Sequence, residues 1–213
     1  MKVTLSFDNG PTAPVTAHVL DVLAQQRIHS TFFVVGENLA QPENRAVAER
    51  AAAEGHWIGN HTLTHSMQFG DTDDPRVPGR EIGEAQRLIG ELAHPDRLFR
   101  PYGGGGVLDR RLLSPAAVAY LQQNAFTTVL WNSVPHDWDD PDGWTERCLA
   151  DVKTRDWSLV VLHDLPTGAM EHLPRFLAGL RALDADIVQE FPPDCVPLHR
   201  GRLEHSVGHL LPC

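Results

Sequence analysis

Short apolar runs alternate along the chain with stretches whose apolar residues recur at helical spacing. Residues 2–7 read as a buried strand that stops at Asp8-Asn9-Gly10-Pro11, a run of turn-favouring residues. Val15, Val19, Val22 and Leu23 then fall on one face of a helix over 15–26. The β-branched and aromatic run 31–35 predicts a second strand, ended by Gly36. A helix over 42–54 follows, with Pro42 suited to a first turn and Gly55 to the C-terminal end. Trp57 and Ile58 form a short strand leading into His61. Further helices are expected over 80–92, 109–123, 144–153 and 171–183. Strands are expected over 98–99, 126–131 and 158–162, with a short segment over 195–198.

Strands alternating with helices predict an α/β fold, a parallel sheet covered by helices. Six or seven such units in a chain of 213 residues fit a small or incomplete barrel better than an open doubly wound sheet, although periodicity alone does not decide between them. No internal repeat or long linker divides the chain, so residues 1–199 are expected to form a single domain. Residues 200–213 show no periodicity and are expected to form a C-terminal tail, packed as an irregular arm.

Composition narrows the function classes. Acidic residues outnumber basic ones 28 to 18, a net charge of −10, and no basic cluster is long enough to track a polyanion. A nucleic-acid partner is therefore not expected. No apolar run reaches the ~20 residues that span a bilayer, so neither is a membrane partner. The opening MKVTLSFDNG has neither a charged n-region nor an apolar h-region, and the expected location is cytoplasmic. Cys148, Cys195 and Cys213 lie far apart and suggest no disulfide framework.

Polar residues cluster just after the predicted strands: Asp8 and Asn9, His61 and His65, Arg100 and Tyr102, Asp137, then His163 and Asp164. In a parallel barrel these positions share one rim, where active sites are built. Each alone has a plain structural explanation, such as turn chemistry at Asp8-Asn9-Gly10, a helix cap at Asp164 or an ion pair at Arg100. Their common address is the stronger signal. His61-Thr62-Leu63-Thr64-His65 has the four-residue spacing that lets two imidazoles on a helical turn hold one metal ion. It lacks the glutamate of a zincin motif. His205 and His209 repeat the spacing with no flanking strand and read as tail. The glycines at 103–106 match no phosphate-binding fingerprint.

Taken in order, SFDNG (6–10), TFFVVG (31–36), GNHTLTH (59–65), FRPYG (99–103), HDW (136–138) and LVVLHD (159–164) resemble the polysaccharide deacetylase family, the NodB-homology group of carbohydrate esterase family 4. The resemblance covers about residues 3–165 in the family's order. It implies a distorted (β/α)7-type barrel and one divalent metal ion, Zn²⁺ first, with Co²⁺, Ni²⁺ or Mn²⁺ compatible with the same ligands. It implies hydrolysis of a carbon–nitrogen bond, deacetylating an N-acetylated sugar or a related small amide. By the same resemblance Asp8 is the general base, and Asn9, His61 and His65 are the metal ligands. Arg100 orients Asp8, and the backbone N–H of Tyr102 helps form an oxyanion site. His163 is the general acid, tuned by Asp137, while Trp138 and Val161 line the pocket for the acetyl methyl.

The chain departs from the family pattern in three places. Asn9 stands where a second aspartate is usual, which predicts weaker metal binding but a stronger Lewis acid, because less of the ion's charge is neutralised. Arg100, Pro101 and Tyr102 are contiguous where the family commonly inserts a residue, and Val134 replaces the first aspartate of D-x-x-D-W. Two alternatives remain open on these residues. One is a metal-independent amide or ureide hydrolase of the allantoinase-like branch; the other is a non-catalytic carbohydrate-binding relative.

Overall fold

The computed structural model describes residues 1–212; Cys213 lies outside the described residues. The two other cysteines, Cys148 and Cys195, are buried and free. Seven strands run parallel: β1 (Lys2–Asp8), β2 (Thr31–Val34), β3 (Trp57–Asn60), β4 (Leu98–Phe99), β5 (Thr127–Thr128), β6 (Trp157–His163) and β7 (Asp186–Val188). Their order is β6-β1-β2-β3-β4-β5, with Asp8 in register with His163 across β1 and β6. A parallel bridge from Ser133 to Val160 returns the chain beyond β5 to β6 and curls the sheet into a distorted (β/α)7-type barrel. The fold is a single α/β domain.

Alternation along β1 explains both layers. Val3, Leu5 and Phe7 face out and pack with Val19, Leu20, Leu23 and Phe176 of the covering helices α1 (Ala13–Gln26) and α6 (Leu173–Ala182). Thr4, Ser6 and Asp8 form the other, polar row, and all three are buried. That row is satisfied inside the barrel: Ser6 Oγ donates to the Val160 carbonyl at 2.9 Å, and the Trp157 indole donates to Thr4 Oγ1 at 2.9 Å. Phe33, Leu98, Val129 and Leu159 fill the remaining interior. Each fully buried side chain of this size contributes on the order of 2 kcal/mol, so the outer layer fixes the face of β1 and thereby aims Asp8 inward.

Helix α2 (Pro42–Ala53) begins at proline as expected, and α5 (Trp144–Val152) closely matches its predicted span. Several expectations are corrected. The helix expected over 80–92 is a π-helical turn (Gly79–Glu84), then α3 (Ala85–Ile89), then a 3₁₀ turn (Gly90–Leu92). The helix expected over 109–123 begins only at α4 (Pro115–Gln123), because Ser114 caps it by accepting from the Ala117 N–H. The strand expected over 126–131 pairs only at Thr127–Thr128. Strand β7 was not foreseen; it pairs with Lys2–Thr4 of β1, beside the stretch that β2 occupies further along.

The chain beyond 199 is not an irregular arm throughout. The strand β8 (Leu198–His199) pairs antiparallel with β9 (Arg202–Leu203), and the Leu210 carbonyl accepts from the Leu113 N–H. Val207 and Leu210 pack in a second apolar cluster with Leu113, Leu121 and Phe126. No helix among the described residues is long and apolar enough to cross a membrane.

Candidate active site

The C-terminal ends of β1, β3, β4 and β6 open into a cleft of ≈ 220 Å³. Asp8, Asn9, His61, His65, Tyr102, Trp138, Val161 and His163 line it, so eight of the ten residues to which the family resemblance gave a role share one cavity. The other two, Arg100 and Asp137, lie fully buried behind it.

Arg100 sits inside the barrel. Its Nη1 donates at 2.7 Å to both Asp8 Oδ1 and Ser6 Oγ, while Nε and Nη2 donate to the carbonyls of Val129 and Leu130 at 3.2 Å each. The guanidinium also lies 4.0 Å from the Phe33 ring centroid. Burial lowers its pKa, Asp8 opposes that shift, and a guanidinium stays charged regardless. The contiguous Arg100-Pro101-Tyr102 sequence thus leaves the Arg100–Asp8 contact intact.

His61 and His65 do not lie on a helical turn, contrary to the sequence expectation. The stretch is a loop in which Thr62 (φ 69°) and His65 (φ 51°) adopt left-handed backbone. Side chains hold that conformation: Asn60 Oδ1 accepts from the Thr62 N–H, and Thr62 Oγ1 accepts from the His65 N–H. Glu81, buried in the π-helical turn, accepts from the Thr64 N–H at 3.0 Å and the Thr64 hydroxyl at 2.9 Å. The loop still brings the two imidazoles together, with ring centroids 4.8 Å apart.

Opposite them, Asp137 grips His163 twice, accepting from its backbone N–H and from Nδ1, both at 2.8 Å. Burial alone would lower the His163 pKa. The hydrogen bond and charge of Asp137, with Asp8 and Asp164, outweigh it and hold the imidazole above its ordinary value. Trp138 meets the His163 ring edge-on at 4.6 Å.

Four observations test whether the donors suit a metal ion. His61 Nδ1 lies 2.8 Å from the Arg100 carbonyl, which can only accept, so Nδ1 carries the proton and Nε2 presents its lone pair. That lone pair faces Asp8 Oδ2 at 3.6 Å, an acceptor opposite an acceptor unless a cation lies near both. Burial pushes the pKa values of His61 and His65 down to about 3, so both are neutral at pH 7. Asn9 Oδ1 is buried and has no hydrogen-bond partner. Two neutral imidazoles and an orphaned amide oxygen fit a borderline divalent cation. Among the described residues no group of three His, Cys, Asp or Glu side chains is placed to hold a metal; Asn9, an amide, falls outside that set.

The structure adds residues to which the sequence gave no role in the cleft. Trp131 lines the cleft and donates from its indole to the Gly106 carbonyl at 2.8 Å. Val134 and Leu165 extend its apolar wall. Asn38 donates to the Asn9 carbonyl at 2.8 Å and supports a residue with φ 73°. Trp131 was legible as an aromatic at a strand end. Asn38 and Glu81 carried no local signal.

Comparison with known proteins shows the family. The polysaccharide deacetylase family profile matches residues 1–123. A chitooligosaccharide deacetylase of Rhizobium leguminosarum bv. phaseoli is 36% identical over 75% of this chain and 66% of its own. A peptidoglycan-N-acetylglucosamine deacetylase of Bacillus cereus is 28% identical over 76% of this chain and 72% of its own. Among solved structures, a family 4 acetyl xylan esterase from Clostridium thermocellum in complex with a cobalt ion superposes with a TM-score of 0.70. It is 27% identical and covers 89% of this chain and 88% of its own. The chain belongs to the polysaccharide deacetylase family, the NodB-homology group of carbohydrate esterase family 4, a family of deacetylating hydrolases.

Proposed function

We propose that the protein is a metal-dependent amide hydrolase that removes acetyl groups from an N-acetylated sugar, with short chitooligosaccharides the first substrates to test. The observation that carries the metal reading is the partnerless, buried Asn9 Oδ1 in the same cleft as two neutral histidines. Asn9, His61 and His65 would hold the ion. The chemistry such an ion supplies is polarisation of the amide carbonyl and acidification of a water.

The protein's own groups divide the remaining work. Arg100 occupies Asp8 Oδ1 and leaves Oδ2 on the cleft side to take a proton from the attacking water. His163, with Nδ1 held by Asp137, keeps Nε2 for donation to the departing amine. An amine expelled without that proton is a very poor leaving group, so acid and base are both required. The Tyr102 N–H would stabilise the oxyanion, while Trp138 and Val161 close around the acyl methyl.

Titrating Zn²⁺ into chelator-stripped protein should reveal one site, absent in a His61→Ala/His65→Ala variant. Turnover of N-acetylglucosamine oligomers should be nearly abolished by Asp8→Asn, which keeps an acceptor for the buried Arg100, and by His163→Ala, with folding retained. Full activity in both Asp8→Asn and His163→Ala would overturn the assignment. The neutral amide at Asn9 also supports a second, metal-independent reading, for which activity unchanged after chelation is the deciding result.

A further inference from the structure

Beyond adding to the negative charge around His163, Asp164 is a buried carboxyl to which the reaction above gives no task. It follows His163 at the end of β6, is 1% exposed, and leaves Oδ1 without a partner. Its other oxygen accepts from the Thr16 hydroxyl at 2.5 Å, and Thr16 Oγ1 in turn accepts from the Thr12 N–H at 2.8 Å. This short chain of bonds ties the end of β6 to the first turn of α1.

The carboxyl also lies flat against Gly10. A Cβ on Gly10 would fall 2.1 Å from Asp164 Oδ2, 2.3 Å from Oδ1 and 2.5 Å from Cγ. Gly10 is not among the residues with positive φ, so its backbone would accept alanine. Glycine is required there because Asp164 fills the side-chain space. The turn pressed in this way is the one that carries Asp8 and Asn9. On its other side it is held by the Val35 N–H, which donates to the Gly10 carbonyl at 2.9 Å, and by Asn38 at the Asn9 carbonyl.

We propose that Asp164 is a positioning residue: packed on Gly10 and anchored by Thr16, it fixes the Asp8–Asn9 turn from behind and so sets metal affinity and the rate of the chemical step. This rests on the metal-dependent reading above. The action is steric and passes through Gly10, not through contact with substrate. A side chain of the same shape should therefore replace it, and a refilled cavity should compensate for its loss.

The test is a four-protein comparison of Zn²⁺ affinity by chelator competition, with kcat and KM on an N-acetylglucosamine oligomer. Asp164→Ala should weaken Zn²⁺ binding about tenfold or more, the usual effect of losing a residue that orients a ligand. It should also lower kcat at nearly unchanged KM. Asp164→Asn should stay within about threefold of the wild type, because the shape and the Thr16 acceptor survive. The double variant Gly10→Ala/Asp164→Ala should regain most of the loss, since the new methyl occupies the vacated space. Wild-type affinity in Asp164→Ala overturns the inference. So does an Asp164→Asn variant as weak as Asp164→Ala, which would make the effect one of charge, or a double variant no better than Asp164→Ala. A wild-type protein that binds no Zn²⁺ overturns the metal reading itself, and this inference with it.

Discussion

Arg100 Nη1 lies 2.7 Å from Asp8 Oδ1, with the guanidinium wholly buried and the carboxylate 5% exposed where it meets the cleft. A buried pair of this kind stabilises weakly as a pair, yet losing one member leaves the other charged and alone. Arg100→Met should therefore cost about 3–5 kcal/mol of stability, measured by urea unfolding at pH 7. Asp8→Asn should cost less, because its amide can still accept from Nη1. Equal losses would mean that packing of the long Arg100 side chain, not its charge, dominates.

That pair also shows what the sequence could reveal. Asp8 and Arg100 are far apart in the chain, but each follows an apolar run that reads as a parallel strand. One rim for Asp8, His61, His163 and Tyr102 follows from strand direction alone. Contacts that depend on loop geometry do not. His61 and His65 meet through left-handed residues held by Asn60, Thr62 and Glu81, none of which a four-residue spacing encodes. Strand β7 stayed hidden because only three residues pair, two of them half-buried and one exposed. Gly10 read as turn chemistry, whereas its reason lies at Asp164, at the far end of the barrel chain.

Glu81 should matter to metal binding although it lies outside the cleft. Its carboxylate takes both the N–H and the hydroxyl of Thr64, inside the loop between the two histidines. Glu81→Ala leaves that N–H without its acceptor, at a cost of about 1–3 kcal/mol, and frees the His65 backbone. Zn²⁺ affinity should fall about tenfold or more, read by titration calorimetry. Glu81→Gln keeps one acceptor and should lose less. If alanine and wild type bind equally, the loop is held by Asn60 and Thr62 alone.

The pH dependence of turnover should report His163. Its pKa is lowered by burial but raised overall by Asp137, Asp8 and Asp164, with the neutral His61 and His65 facing it across the cleft. As the acid, it works only when protonated, so kcat should fall as pH climbs through that raised value. The stability contribution has the same sign. It is complete below the ordinary histidine value near 6.5 and is lost on the way up through the raised one. Asp137→Asn removes the charge, so the basic limb of the kcat profile should move to lower pH. A limb that stays in place would assign the acid to another group.

Acid stability should be governed by histidines of the opposite kind. His56, 5% exposed, accepts the Ser30 N–H on Nδ1 and meets Phe32 edge-on at 5.3 Å. Burial, reinforced by the nearby His29, pushes its pKa down to about 4. A folded-state value below the unfolded one means that stability is intact above pH 6.5 and declines as pH falls from there toward 4. The slope is about 1.4 kcal/mol per pH unit for one such group. His61, His65 and the half-buried His94 are shifted in the same direction, so four histidines act together in the metal-free protein. His56→Gln offers the Ser30 N–H an acceptor that does not titrate. Urea unfolding at pH 7.5 should show the variant less stable than wild type, because the ring contact with Phe32 is lost. At pH 4.5 the gap should close, because one of the four protonation penalties has been removed. A gap that is the same at both pH values would exclude His56 as a source of acid lability and leave the loss to His61, His65 and His94.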